Sequence, residues 1–94
     1  MSSYVKKFII KYDGNDGMTY TQNIYCKYIG SWCGEQWYNE DGTPVDFGCV
    51  TDSQAEIISH CIAGIPVQNK YFYWKEVEEF TLPEKLAEVF NYKL

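Results

Sequence analysis

Hydrophobic and polar residues alternate along the first third of the chain with the two-residue period of β-strands. A strand is predicted from Tyr4 to Tyr12 and a second from Met18 to Ile29. The segment Asp13–Gly17 between them is rich in Gly, Asn and Asp, which tolerate left-handed backbone, so a hairpin loop is predicted there. The two faces of the first strand carry Tyr4, Phe8, Ile10 and Tyr12 on one side and Val5, Lys7, Ile9 and Lys11 on the other.

The clearest amphipathic helix is predicted over residues 51–64. Its start fits a capping box, formed either by Thr51 with Gln54 or by Ser53 with Glu56, and Gly64 is a typical C-terminal residue. Apolar residues recur at helical spacings of three and four. The predicted buried face consists of Ala55, Ile58, Cys61 and Ile62.

Shorter patterns predict three further strands, over residues 35–39, 43–50 and 69–80. A last helix is predicted after the capping-box pattern Thr81–Glu84, with Leu82, Leu86, Val89 and Phe90 as its buried stripe. The predicted order is β-β-β-β-α-β-α. We therefore expect one compact α+β domain over residues 1–94, with an antiparallel sheet of four to five strands and two helices packed on one face.

The charges add a constraint that the periodicity does not. The 94 residues include eight lysines, no arginine and 13 acids, for a net charge of −5. Residues 29–69 contain six acids and no lysine. Arginine is the side chain best suited to bidentate phosphate and guanine contacts, and phosphate neutralisation supplies most nucleic-acid affinity. We therefore predict no direct nucleic-acid binding.

Cellular location is predicted from apolar runs and cysteines. No apolar run is long enough to cross a membrane, and the run after Lys6 and Lys7 is too short for a signal peptide. Four cysteines without an export signal predict a cytoplasmic protein with free thiols. Export by another route would instead allow two disulfides.

The cysteines also bear on metal and thiol chemistry. Cys26, Cys33, Cys49 and Cys61 are separated by six, 15 and 11 residues, whereas structural zinc sites pair ligands two to four residues apart. We predict no metal, no cofactor and no catalytic residue, with Cys26 and Cys61 in the core. The alternative is a thiol- or metal-dependent enzyme or redox protein. It would use Cys33, in a glycine-flanked loop, and His60, the one histidine.

Aromatic residues give the strongest functional indication. Seventeen of the 94 residues are aromatic, and Tyr and Trp are enriched at protein interfaces. Acids around aromatic anchors suit a basic partner, although the rings could equally pack in the core while the acids are solvated. The predicted protein-binding residues are Trp32, Glu35, Trp37, Tyr38, Glu40, Asp41 and Asp46.

These features together predict a small non-enzymatic protein that occludes a basic surface of a nucleic-acid-handling partner, including by nucleic-acid mimicry. In size and charge alone, the chain resembles the small acidic proteins with which phages and mobile elements inhibit host nucleases and defence systems, anti-CRISPR proteins included. A homo-oligomeric structural module, such as a homodimer joined through exposed strand edges, is the third hypothesis.

Overall fold

The computed structural model describes residues 3–29 and 32–90, and within strands it leaves out the side chains of residues 3, 4, 28, 29 and 32–36. The order of elements is β-β-β-α-β-α. The elements are β1 (Ser3–Asp13), β2 (Thr19–Ile29), β3 (Trp32–Asn39), α1 (Asp52–Ala63), β4 (Tyr73–Val77) and α2 (Glu84–Val89).

The four strands form one antiparallel sheet in the order β3-β2-β1-β4. The β1–β2 hairpin pairs along its whole length, from Ser3 opposite Ile29 to Asp13 opposite Thr19. Its turn needs a left-handed residue, which Gly17 supplies with a φ of 80°. The predicted antiparallel α+β architecture is confirmed.

The two helices cover opposite faces of the sheet, so the prediction that both pack on one face is wrong. β2 turns the side chains of Cys26 and Tyr25 to opposite sides, and both are buried. One helix can cover only one of these faces. The α1 core contains Phe8, Ile10, Ile24, Cys26, Trp37, Val45, Ile57, Ile58 and Cys61. The α2 core contains Tyr25, Leu86 and Phe90, with Val5, Tyr38, Phe80 and Leu82 packed against it.

Helix α1 begins and ends as predicted but buries a rotated face. The Thr51 side chain accepts a hydrogen bond from the backbone N–H of Gln54 at 3.0 Å, and Gly64 ends the helix with a φ of 70°. Ile62 is 52% exposed. Two overlapping sets of apolar residues on α1 have helical spacing, one containing Ile62 and the other Ile57. The set containing Ile57 packs against the sheet. The buried residues are Gln54, Ile57, Ile58 and Cys61.

The predicted strand over residues 43–50 does not form, and this accounts for the difference in element order. It is reduced to an isolated bridge between Tyr38 and Pro44, beside a bond from the Val45 N–H to the Trp37 carbonyl. Pro44 has no N–H to donate. The Asp46 side chain then accepts the backbone N–H of Gly48 at 2.9 Å, which turns the chain away from the sheet.

The C-terminal elements are shorter than predicted. The strand expected over residues 69–80 is confined to β4. Helix α2 begins at Glu84 with Pro83 as its N-cap residue and no side-chain cap, so the predicted capping box does not form. Leu86 and Phe90 are buried, whereas Val89 is 42% exposed.

A pair of identical substitutions tests the rotated face of α1. We expect Ile58→Ala to lower the free energy of unfolding by about 2–5 kcal/mol, because Ile58 fills the α1 core. The exposed Ile62→Ala should change it by less than about 0.5 kcal/mol. Urea unfolding followed by circular dichroism measures both. Equal losses would contradict the described orientation of the helix.

Candidate protein-binding site

Three polar segments converge at one end of the sheet, and we call residues 13–18, 39–42 and 46–52 the acidic end. β3 runs antiparallel to β2 and ends at Asn39 opposite Ile24, so residues 39–41 lie beside residues 21–23, in the half of β2 that follows the hairpin turn. The first turn of α1 reaches the same end, since Thr51 and Gln54 line a groove with Asp16 and Tyr20. Segments distant in sequence therefore form one surface.

A polar network centred on Gln22 ties these segments together. The Gln22 side-chain oxygen accepts hydrogen bonds from the Tyr12 hydroxyl, at 3.0 Å, and from the Gln54 amide. The Gln22 amide donates to the side-chain oxygen of Asn39. Gln54 is only 7% exposed, so its polar group is satisfied inside the protein. The network fixes β1, β2, the end of β3 and the start of α1 against one another.

The carboxylates of the acidic end are held by hydrogen bonds within their own turns. Asp16 accepts from the Tyr20 hydroxyl and, at 3.0 Å, from the backbone N–H of Met18. Asp41 accepts from the hydroxyl of Thr43 at 2.6 Å and from its N–H at 3.0 Å. Hydrogen bonds to the ionised form lower a carboxyl pKa. The pKa of Asp16 is lowered first by Tyr20, and that of Asp41 first by the Thr43 hydroxyl.

The surface of this end is strongly negative. Asp16, Glu40, Asp41, Asp46 and Asp52 are all exposed, and its three segments contain no lysine. Lys85 on α2 is the cation that further lowers the Asp41 pKa. Because the acids come from three separate segments, their field adds up over one patch.

Two shallow grooves lie on either side of the Gln22 network. One, of about 410 Å³, is lined by Thr21, Asn23, Glu40 and Asp41 beside Gln22 and Asn39. The other, of about 370 Å³, is lined by residues of the hairpin turn and of the loop before α1. Each is large enough to take a long side chain of a partner and presents carboxylates at its wall.

Exposed apolar side chains accompany the acids. Met18 is 62% exposed, Phe47 46% and Tyr20 42%. Met18 and Tyr20 follow the hairpin turn, and Phe47 lies in the loop before α1. Large apolar side chains beside charges are typical of protein interfaces.

The structure divides the predicted binding residues into four groups. Glu40, Asp41 and Asp46 are exposed at the acidic end. Trp37 is 1% exposed and packs on Phe8 with ring centroids 5.6 Å apart, so it is a core residue and no partner can reach it. The Tyr38 ring is half-buried, on the opposite face, and packs edge-on against Phe90. The side chains of Trp32 and Glu35 lie outside the described residues.

Sequence reasoning did not include Asp16, Tyr20 and Phe47 in the site. The sequence pattern places Tyr20 and Phe47 in predicted strands and Asp16 in a predicted turn. It gives no indication that these three residues lie close together. The Asp46-Phe47-Gly48 sequence did carry a signal, since an Asp two residues before a Gly favours a side-chain-capped turn with an exposed central residue.

The thiol alternative receives no support from the described residues. The Cys49 thiol donates to Asp46 at 3.3 Å, and this bond, followed by the negative charge of Asp46, raises the Cys49 pKa. His60 lines a 110 Å³ groove with Asn69 and Phe72, next to β4. Cys33 is on β3, at the opposite edge of the sheet from β4. Three strand spacings separate β3 from β4, a distance of about 14 Å. Its side chain lies outside the described residues.

The described part of the chain contains neither a metal-binding cluster nor a membrane-spanning helix. Among the side chains that the structure describes, no three of His, Cys, Asp or Glu are grouped so as to hold a metal ion. No helix in that part of the chain has the length and apolar character needed to cross a bilayer. Cys26 and Cys61 are buried in the α1 core, as predicted.

No protein-family model matches the chain, and comparisons with curated proteins and with solved structures also give no significant match. The geometry and charges of the acidic end are therefore the basis for inferring a function.

The first prediction of this site concerns Asp16. We expect Tyr20→Phe to raise the Asp16 pKa towards its ordinary value, because the hydroxyl stabilises the ionised carboxylate. A lowered folded-state pKa favours folding above the ordinary pKa, and this stabilisation is lost as pH falls through the lowered value. An NMR titration of the Asp16 carboxyl carbon measures the shift. An unchanged pKa would contradict the described turn.

The second prediction concerns Cys49. We expect its exposed thiol to alkylate slowly at neutral pH, and Asp46→Asn to speed alkylation by lowering the thiol pKa. Peptide mapping by mass spectrometry after iodoacetamide treatment follows Cys49 alone. Asp41→Asn is the matched control, because it removes the same charge from another turn. Equal rates in both variants and the unaltered protein would contradict the Cys49–Asp46 contact.

Proposed function

We propose that the acidic end docks on a basic surface of a nucleic-acid-handling protein and blocks that surface. The observation that carries this proposal is that five exposed acids and the exposed side chains of Met18, Tyr20 and Phe47 belong to the segments that converge at the acidic end. The proposed activity is binding, without catalysis. The aromatic anchors of this surface are Tyr20 and Phe47, in place of the buried Trp37.

The charges and the apolar groups would have different roles. Clustered acids attract a basic surface over long range and raise the association rate. Asp16 and Asp41 are already held by hydrogen bonds, so they would lose little side-chain freedom on binding. Burial of Met18, Tyr20 and Phe47 would slow dissociation, because apolar anchors supply most of the binding energy at interfaces.

Occlusion explains how such a protein could act without an active site. A basic surface covered by the acidic end cannot bind phosphates, so the partner would lose its nucleic acid by competition. Lysine or arginine side chains of the partner would enter the two grooves beside Glu40 and Asp16. The proposed setting is the cytoplasm, and the proposed partner class is a host nuclease or defence complex inhibited by a phage or a mobile element.

Affinity capture tests the charge requirement. A tagged protein would be used to recover partners from lysate of the source organism or its host, at low and then at high salt. We expect a basic, nucleic-acid-handling protein that salt releases. The triple variant Glu40→Gln, Asp41→Asn, Asp46→Asn should lose it. The control Glu78→Gln with Glu79→Gln should keep it, since these exposed acids follow Val77, which pairs with Lys7 towards the other end of the sheet.

Competition tests the mechanism. With the recovered partner purified, its own nucleic acid should displace the protein, and the triple variant should fail to compete. Binding of nucleic acid to the partner's own basic surface while the acidic end stays docked there would contradict occlusion. Failure to retain any partner at either salt would overturn the proposed binding function.

The apolar anchor gives a separate prediction. Phe47→Ala should weaken partner binding at least tenfold, which corresponds to about 1.4 kcal/mol. Ile65→Ala is the control, because Ile65 is similarly exposed (49%) but lies beyond the C-terminal end of α1. Surface plasmon resonance should show the loss mainly as faster dissociation. Equal effects of the two substitutions would exclude Phe47 as an anchor.

A further inference from the structure

The sheet face that α2 only partly covers carries the opposite charge from the acidic end. Helix α2 packs on Val5 and Tyr25 at one end of this face. The remainder is made by alternate residues of β1, β2 and β4. They are Lys7, Ile9 and Lys11 on β1, Thr19, Thr21 and Asn23 on β2, and Tyr73, Lys75 and Val77 on β4.

A level of this face is one row of paired residues across the strands, and four consecutive levels each contain one lysine. Lys11 is on β1, Lys75 lies opposite Ile9, Lys7 is again on β1, and Lys27 lies opposite Val5. Lys7 and Lys27 thus lie at the end of the face where α2 packs on Tyr25 and Val5. Each level is two residues along the strand, so the cations advance in steps of about 6.6 Å. We call these four residues the lysine ladder; half of the eight lysines of the chain belong to it.

Glu40 and Asp41, which follow β3, border the ladder face where they share a groove with Thr21 and Asn23. On β1, β2 and β4, the register places one acid on this face, Asp13, which lies beyond Lys11 at the end of β1. The salt bridge found among the described residues, Lys6 to Glu76 at 3.1 Å, lies on the α1 face. No ladder lysine has a salt bridge within that part of the chain, although the protein has an excess of acids.

Aromatic rings hold the stems of two ladder lysines. The Lys11 ammonium lies 5.6 Å from the centroid of the Tyr73 ring, and the Lys7 ammonium lies 5.8 Å from that of Tyr25. These contacts orient the lysines over the sheet while their ammonium groups keep donors for a ligand.

We propose that the lysine ladder binds the sugar–phosphate backbone of single-stranded nucleic acid. The repeat of the ladder is comparable with the separation of neighbouring phosphates in an extended strand, and a positive track beside an aromatic ring is typical of single-strand binding. Lysine acts on phosphate as a point charge, so the absence of arginine removes base-specific contacts without preventing this backbone binding. The binding is therefore independent of nucleotide sequence.

This surface adjoins the acidic end, because Thr21 and Asn23 line the groove that also contains Glu40 and Asp41. It reverses the expectation of no direct nucleic-acid binding, which considered the composition of the chain but not the arrangement of its lysines. Ladder positions more than about 10 Å from the acidic end are screened from its charges near 0.1 M salt. Failure of either function therefore does not imply failure of the other.

Fluorescence anisotropy with a labelled oligo-dT strand tests the ladder. Because each phosphate contact to a single strand contributes about 0.7 to the slope of log K against log salt, four contacts predict a slope of about −2.8. Lys7→Gln with Lys75→Gln should reduce the slope to about −1.4 and weaken binding. The matched control is Lys70→Gln with Lys85→Gln, both outside the ladder, and it should retain the original slope.

The same assay defines the results that would overturn the proposal. These are no oligo-dT binding by the unaltered protein at low salt, an unchanged slope in the ladder variant, or an equal loss in the control. A poly-glutamate peptide that binds the ladder as tightly as oligo-dT would also overturn the assignment to nucleic acid. Circular dichroism checks that each variant is folded. The Glu40, Asp41 and Asp46 triple variant should still bind oligo-dT.

Discussion

The pairing of β1 with β2 is the constraint on which the other parts of the molecule depend. Eleven residue pairs in one register fix which side chains share a face. A shift of one residue would reverse every side chain between the two faces, moving Phe8 and Ile10 away from α1. The same register places Lys7 and Lys11 on the face that α2 leaves partly open. One hairpin thus determines the two cores and the positions of the charges.

Local patterns predicted the elements better than their packing. The alternation of Tyr4–Tyr12, the Thr51 cap and the left-handed Gly64 are properties of neighbouring residues, and the structure has all three. The buried face of α1 depends on contacts with distant strands, so spacing alone did not exclude Ile62. The face of the sheet on which α2 packs could not be predicted either, because Tyr25 and Cys26 are both suitable core residues. Only the paired sheet determines that Tyr25 faces α2 and Cys26 faces α1.

The candidate site shows the same limit. Glu40, Asp41 and Asp46 could be predicted because exposed acids in turns need no tertiary partner. Trp37 was placed in the site wrongly, since its pairing with Cys26 directs the ring into the α1 core. The surface that joins Asp16 to Asp46 exists only because the Gln22 network brings the hairpin turn to the start of α1, and no sequence spacing carries that information.

The separation of acids from the lysine ladder gives the molecule an electric dipole in addition to its net charge of −5. In the field of a charged surface a dipole experiences a torque, so the molecule turns before it makes contact. A positive surface would then meet the acidic end, and a negative one the lysine face. The sign of the net charge therefore determines only whether a charged surface attracts this protein at long range. At short range, the orientation of the protein determines which of its surfaces makes the contact.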